Sequence, residues 1–169
     1  MVIPCPVCWQ PPSSGLYKLN TDASLDSTSQ QIDLGMVIRD QEGFIMGSSA
    51  QRVDANFSPK VAEALAILRG LIFAVDIGLL PVSVELDTLE VVSLINSGKD
   101  ISAGIGLFVE EIRGLLLRNT GCSLGFASGK ANSVAHSISK LALSVVKDCF
   151  CLESYPPCME QFVQDDCPG

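Results

Sequence analysis

Three carboxylates stand at places where a charge is costly. Asp22 lies in the middle of the alternating run Leu19-Asn20-Thr21-Asp22-Ala23-Ser24, Glu63 sits inside the largely apolar segment Val61 to Ile77, and Asp87 ends the run Val82-Ser83-Val84-Glu85-Leu86-Asp87. Acids so placed need partners, because an ionised carboxylate leaves water only at high cost. If helices pack on a sheet, the middle of one strand, a helix and the end of another strand can converge at one point. Converging carboxylates repel one another unless cations neutralise them, and Mg²⁺ or Mn²⁺ favours such an all-oxygen shell. Singly, each acid has a simpler reading as a solvated side chain, or for Glu63 as a helix-face partner of Lys60 or Arg69. Their combination points to a metal site.

The elements that must position these acids are legible in the pattern. Pro4, Pro6, Pro11 and Pro12 with Ser13-Ser14-Gly15 forbid regular hydrogen-bonded structure, so residues 1–15 read as an extended lead-in and the domain as starting near Leu16. Alternation from Leu16 to Ser24 predicts a strand with Asn20, Asp22 and Ser24 on one face and Leu19, Thr21 and Ala23 on the other. Ile32 to Arg39, the turn Asp40-Gln41-Glu42-Gly43 and Phe44 to Val53 read as an antiparallel hairpin. Ser58-Pro59 supplies an N-cap hydroxyl and a proline at the first helical position for a helix over Val61 to Ile77, which Gly78 stops.

Past Pro81, the strand ending on Asp87 feeds a helix from Leu89 to Ile95. A helix from Leu107 to Leu117, a strand from Cys122 to Ala127 and a last helix from Ala131 to Val146 follow. Three antiparallel strands followed by helix, strand, two helices, strand and helix make a mixed α/β layer with parallel crossovers. The domain is expected to span residues 16–150, with 151–169 as a C-terminal tail.

Composition sets the outer bounds. The 169 residues, 47% hydrophobic and 18% charged, suit one domain with a filled core rather than a disordered chain. Glu63, Arg69, Glu85, Asp87 and Glu90 interrupt every apolar stretch before it reaches membrane-spanning length. The opening Met-Val-Ile-Pro-Cys-Pro has neither a basic region nor a long apolar run, so no secretory signal is seen and an intracellular home is expected. A net charge of −8, with lysines and arginines scattered singly, argues against tight sequence-indifferent binding of nucleic acid, so any such role must be local. Of the seven cysteines only Cys122 lies far from the ends. Cys5-x-x-Cys8 has zinc-knuckle spacing but lacks a second pair like it, Cys149-x-Cys151 being too close, and free thiols are the expectation.

Four motifs in order carry a family resemblance: Leu19-Asn20-Thr21-Asp22-Ala23-Ser24, Ala62-Glu63-Ala64-Leu65-Ala66, Glu85-Leu86-Asp87-Thr88 and Ala131-Asn132-Ser133-Val134-Ala135-His136. Together they resemble the ribonuclease H type-1 domain, in the plant form found at the end of non-LTR retrotransposon reverse transcriptases and as free-standing genes. The likeness covers roughly residues 9 to 150, beginning at Trp9-Gln10-Pro11-Pro12. It implies a five-stranded mixed sheet with helices on both faces. It also implies metal-dependent endonucleolytic hydrolysis of the RNA strand of an RNA/DNA hybrid, with Asp22, Glu63 and Asp87 holding two divalent ions, Mg²⁺ or Mn²⁺, about 4 Å apart; a monomer is the default expectation.

The family's fourth acidic position is held here by His136, the chain's single histidine, whose imidazole can ligate an ion but adds no negative charge and suits Mn²⁺ or Zn²⁺ better than Mg²⁺. Strand choice would rest on 2′-hydroxyl contacts, for which Asn20, Ser24 and Asn132 are the candidates. Gly129 stands where this group often has a basic residue, with Lys130 next to it. The alternative is a domain that keeps the fold without catalysis, as an interaction module or a retroelement remnant.

Overall fold

The computed structural model describes residues 8–26, 28–101, 104–142 and 148–166. Along the chain run β1 (Tyr17–Asp26), β2 (Gln31–Arg39), β3 (Ile45–Asp54), α1 (Pro59–Asp76), β4 (Val82–Leu86), α2 (Leu89–Asn96), α3 (Gly106–Arg118), β5 (Ser123–Phe126), α4 (Ser133–Ala142), β6 (Cys149–Leu152) and, after a 3₁₀ turn at Pro157–Met159, α5 (Glu160–Asp166). The strands form one mixed sheet in the order β5-β4-β1-β2-β3-β6. β1 lies between an antiparallel neighbour, β2, and a parallel one, β4. Among the described residues no helix is long and apolar enough to cross a membrane.

The period-two pattern of β1 decides what lies on each face of the sheet. Leu19 and Thr21 face α1, which approaches so closely at Gly70 that a Cβ there would come within 2.9 Å of the Thr21 methyl and 3.1 Å of Leu19. On this side Leu19, Leu34, Met36, Ile67, Leu71, Val84 and Ile112 form the larger core. Asn20, Asp22 and Ser24 face the other way, towards α4. There Val37, Ala50, Val134, Ala135 and Ile138 make a second, smaller core. The start of α1 follows its sequence signal, with Ser58 as N-cap accepting from the Val61 N–H at 3.4 Å and Pro59 at the first position.

Three expectations change. The sheet has six strands rather than five, because Cys149-Phe150-Cys151-Leu152 pairs antiparallel with Gly47–Ala50 of β3. Four residues without polar alternation give almost no strand signal of their own; what calls for them is the row of unpaired backbone groups on the edge of β3. The segment expected as a tail is fastened to the domain, with Met159 and Val163 in the second core. The carboxylate of Asp166 reaches back to the buried Arg39 at the end of β2 (3.1 Å) and to Ser133 at the start of α4 (3.1 Å). The last helix begins at Ser133, since Ala131-Asn132 is still turn, and its expected stretch 143–146 lies outside the described residues. From the lead-in, Trp9 is 1% exposed and lies under the Arg39 guanidinium at 4.1 Å, so both ends of the domain meet on one buried cation.

Candidate active site

Asp22 is paired in register with Gly35 of β2, and this glycine sets the site's geometry. A Cβ at position 35 would lie 2.3 Å from the Ala135 carbonyl oxygen and 2.4 Å from the Ser139 amide nitrogen, so only glycine lets the backbone of α4 rest directly on the sheet. Two α4 side chains one turn apart then reach the same oxygen. The Ser139 hydroxyl donates to Asp22 Oδ2 at 2.7 Å, and His136 Nδ1 lies 3.0 Å from it. With that Ser139 proton committed to the carboxylate, Ser24 donates in the 2.8 Å contact between the two serine hydroxyls. An ionised carboxylate only accepts, so Nδ1 of His136 carries the proton and Nε2 remains for other partners on a side chain that is 54% exposed. Burial pushes the Asp22 carboxyl above its usual range, and Asp87 adds to the push, while Ser139 and His136 counter it.

Glu63 enters from the opposite face, on the first turns of α1. Its Oε1 accepts from the Ala23 N–H at 3.4 Å, and its buried Oε2 has no hydrogen-bond partner. Burial, then repulsion from Asp22 and Asp87, pushes this carboxyl up to about 8. Asp87 directly follows β4, half-buried, where a Cβ at Gly129 would touch its Oδ2 at 3.4 Å. Three carboxyls from β1, α1 and the end of β4 are thus brought within mutual electrostatic reach, as their sequence placement predicts. Among the described residues no group of three or more His, Cys, Asp or Glu is arranged so that it could hold a metal ion as it stands. The donor set nonetheless suits a hard cation: oxygen ligands, an orphaned buried acceptor on Glu63, and excess negative charge that a divalent ion would relieve.

Asn20, Asn132 and Ser24 take places other than a substrate-facing rim. Trp9 Nε1 donates to Asn20 Oδ1 (3.1 Å), Asn20 Nδ2 to Asn132 Oδ1 (3.2 Å), and Asn132 Nδ2 to the Thr21 carbonyl (2.9 Å). Both asparagines are fully buried, so their amides are spent on tying the start of α4 to β1 one turn before His136. Ser24 similarly stands behind Ser139. Three contributors escape sequence reading: Ser139, Gly35 and Trp9. For Ser139 a signal exists, because Asn132, His136 and Ser139 are spaced four and three apart and so form a polar stripe on one helix face. Gly35 has no such signal, since its partners, Ala135 and Ser139, are a hundred residues or more away.

Comparison with known proteins agrees with this architecture. A family model described as reverse transcriptase-like matches residues 20–142. A protein of Arabidopsis thaliana provisionally named a ribonuclease H is 24% identical over 161 residues, covering 95% of this chain; the chain spans only 26% of that protein's length. Among solved structures, ribonuclease H1 of the archaeon Halobacterium salinarum superposes with a TM-score of 0.70 at 18% identity, covering 77% of this chain and 98% of the other. The ribonuclease H1 LC11, solved in complex with an RNA/DNA hybrid, gives 0.63 at 17% identity, covering 72% and 92%. At such identities the likeness concerns the fold.

Proposed function

This chain belongs to the reverse transcriptase-like family, a ribonuclease H-like domain, and on that premise we propose that it hydrolyses the RNA strand of RNA/DNA hybrids with two divalent ions held by Asp22, Glu63 and Asp87. The observation that carries the reading is Glu63: a carboxyl raised to about 8 by burial and by two neighbouring acids, with one oxygen left unpartnered, is stable as a charge only beside a cation. Bound there, the ions would supply a water of lowered pKa and countercharge for the departing 3′ oxygen.

The chain's own residues prepare the place. Ala23 N–H fixes one oxygen of Glu63. Ser139 and His136 both engage Oδ2 of Asp22, which fixes its rotamer. Glu63 gives up its proton when cations load, so loading at neutral pH releases protons to solvent. His136 lends Nδ1–H to Asp22 and keeps Nε2 to ligate or to accept a proton, and without a fourth negative charge the site favours Mn²⁺ over Mg²⁺. RNA would be told from DNA by local 2′-hydroxyl contacts, a readout compatible with the chain's net charge of −8.

The second reading, a fold-retaining interaction module, is favoured by the same oxygen of Asp22 being engaged by both His136 and Ser139. Cleavage of an end-labelled hybrid separates the two. The expected result is cutting in Mn²⁺, weaker cutting in Mg²⁺, a loss of more than roughly 100-fold in Asp22→Asn, and a gain in Mg²⁺ for His136→Asp. A folded protein that leaves the hybrid intact in both metals, with His136→Asp equally inert, refutes the nuclease and leaves the module.

A further inference from the structure

Away from the carboxylates, β6 carries two thiols that the proposed hydrolysis does not use. Cys149 and Cys151 are two residues apart on one strand, so their side chains share a face, and their sulfurs lie 3.7 Å apart. Both are half-buried. Phe150 between them points to the other face, beside Phe73 at 5.7 Å between ring centres. Backbone pairing with Ser48 and Ala50 of β3 holds both positions on a fixed strand.

We propose that Cys149 and Cys151 form a two-thiolate site for a soft d¹⁰ cation, Zn²⁺ by its geometry, with the remaining coordination positions filled from solvent or by a small thiol. With Zn–S near 2.3 Å, two sulfurs on one edge of a tetrahedron stand about 3.8 Å apart, the separation already present on β6. A disulfide fits less well. The sulfurs would have to close to about 2.05 Å across Cα atoms some 6.6 Å apart, at the far end of the range that bridged cysteines tolerate. Hard oxygen-seeking ions are excluded by the ligand type. Among the described residues no third His, Cys, Asp or Glu completes the shell, which makes the site open and exchangeable rather than structural. The neighbouring Asp148 directs Oδ1 to the Arg52 amide at 3.1 Å instead. Burial and the neighbouring Cys151 raise the Cys149 thiol above its ordinary range. Loading replaces two S–H bonds by two metal–sulfur bonds and releases two protons, with no change of oxidation state.

The test uses the reduced full chain, stripped with chelator and titrated with Cd²⁺, whose thiolate charge-transfer absorbance reports sulfur ligation alone. One equivalent should saturate the band in the wild type and in Cys5→Ser/Cys8→Ser. Cys149→Ser or Cys151→Ser should weaken binding at least tenfold, and the two together should abolish the band. Independently of any variant, Zn²⁺ should slow alkylation of Cys149 and Cys151 while sparing Cys122 and Cys158, read by peptide mass. A wild type without a band, a band that survives loss of both β6 thiols, or Zn²⁺ protection confined to other cysteines each overturns the proposal. Hybrid cleavage is not a readout here, so this site and the nuclease stand or fall separately.

Discussion

Replacing Gly35 by alanine tests whether α4 is seated as closely as the site requires. The added methyl would meet two backbone atoms of α4, Ala135 O at 2.3 Å and Ser139 N at 2.4 Å, where ordinary contacts begin at 3.4 Å. A helix backbone cannot rotate out of the way as a side-chain tip can, so the helix must rise by roughly 1 Å or the strand must bend. Such a rise would carry His136 Nδ1 from 3.0 Å to about 4 Å from Asp22, and Ser139 Oγ from 2.7 Å to beyond hydrogen-bond reach. Overpacking alone costs about 1–3 kcal/mol, and weakening two bonds to a buried carboxylate adds about 1–2 kcal/mol. The total, about 2–5 kcal/mol, corresponds to a melting temperature lower by roughly 4–20 °C in a chain of this size. Urea and thermal unfolding of Gly35→Ala beside Gly125→Ala provide the assay, because a Cβ at Gly125 meets nothing within 4 Å and should change stability by less than about 0.5 kcal/mol. Gly35→Ala with the stability of the wild type would refute the close seating of α4, and with it the placement of His136 and Ser139 on Asp22.

Two further outcomes follow from the charges. The unfolded chain releases the Glu63 proton near 4.5 and the folded chain only near 8. Between those values the folded state holds more protons, so raising the pH through this window drains stability that is fully present below about 4.5. Metal-free protein should therefore lose on the order of 3–5 kcal/mol between pH 5 and 8.5 in chelator, and Glu63→Gln should flatten that slope; Mn²⁺ should restore much of the loss in the wild type, and equal slopes for both proteins would sink this reading of Glu63. At the start of α4, Asp166→Ala removes the carboxylate beside a fully buried guanidinium. The expected cost is about 2 kcal/mol, below that of stranding a lone buried charge because Trp9 still stacks on Arg39. Unchanged urea unfolding would show that the C-terminal helix does not fasten the domain.

The amino-acid sequence by itself determined the elements from β1 to β5 and marked out the three acids. Alternation through Leu19 to Ser24, the Ser58-Pro59 start of α1 and the apolar run into Asp87 are local patterns, and each is written in residues that are neighbours along the chain. Burial of a charge is also legible locally, which is why Asp22, Glu63 and Asp87 stand out before any coordinates exist. Tertiary structure alone decided how those acids are held. Gly35 matters because of Ala135 and Ser139, Trp9 because of Asn20 and Arg39, and Arg39 because of Asp166, pairs separated by up to 127 residues. β6 likewise exists as a strand because β3 offers an edge, not because Cys149-Phe150-Cys151-Leu152 prefers to be extended. Periodicity records which face of an element is buried; it carries no information about which distant atom will meet that face, since that contact forms only when the chain has closed on itself.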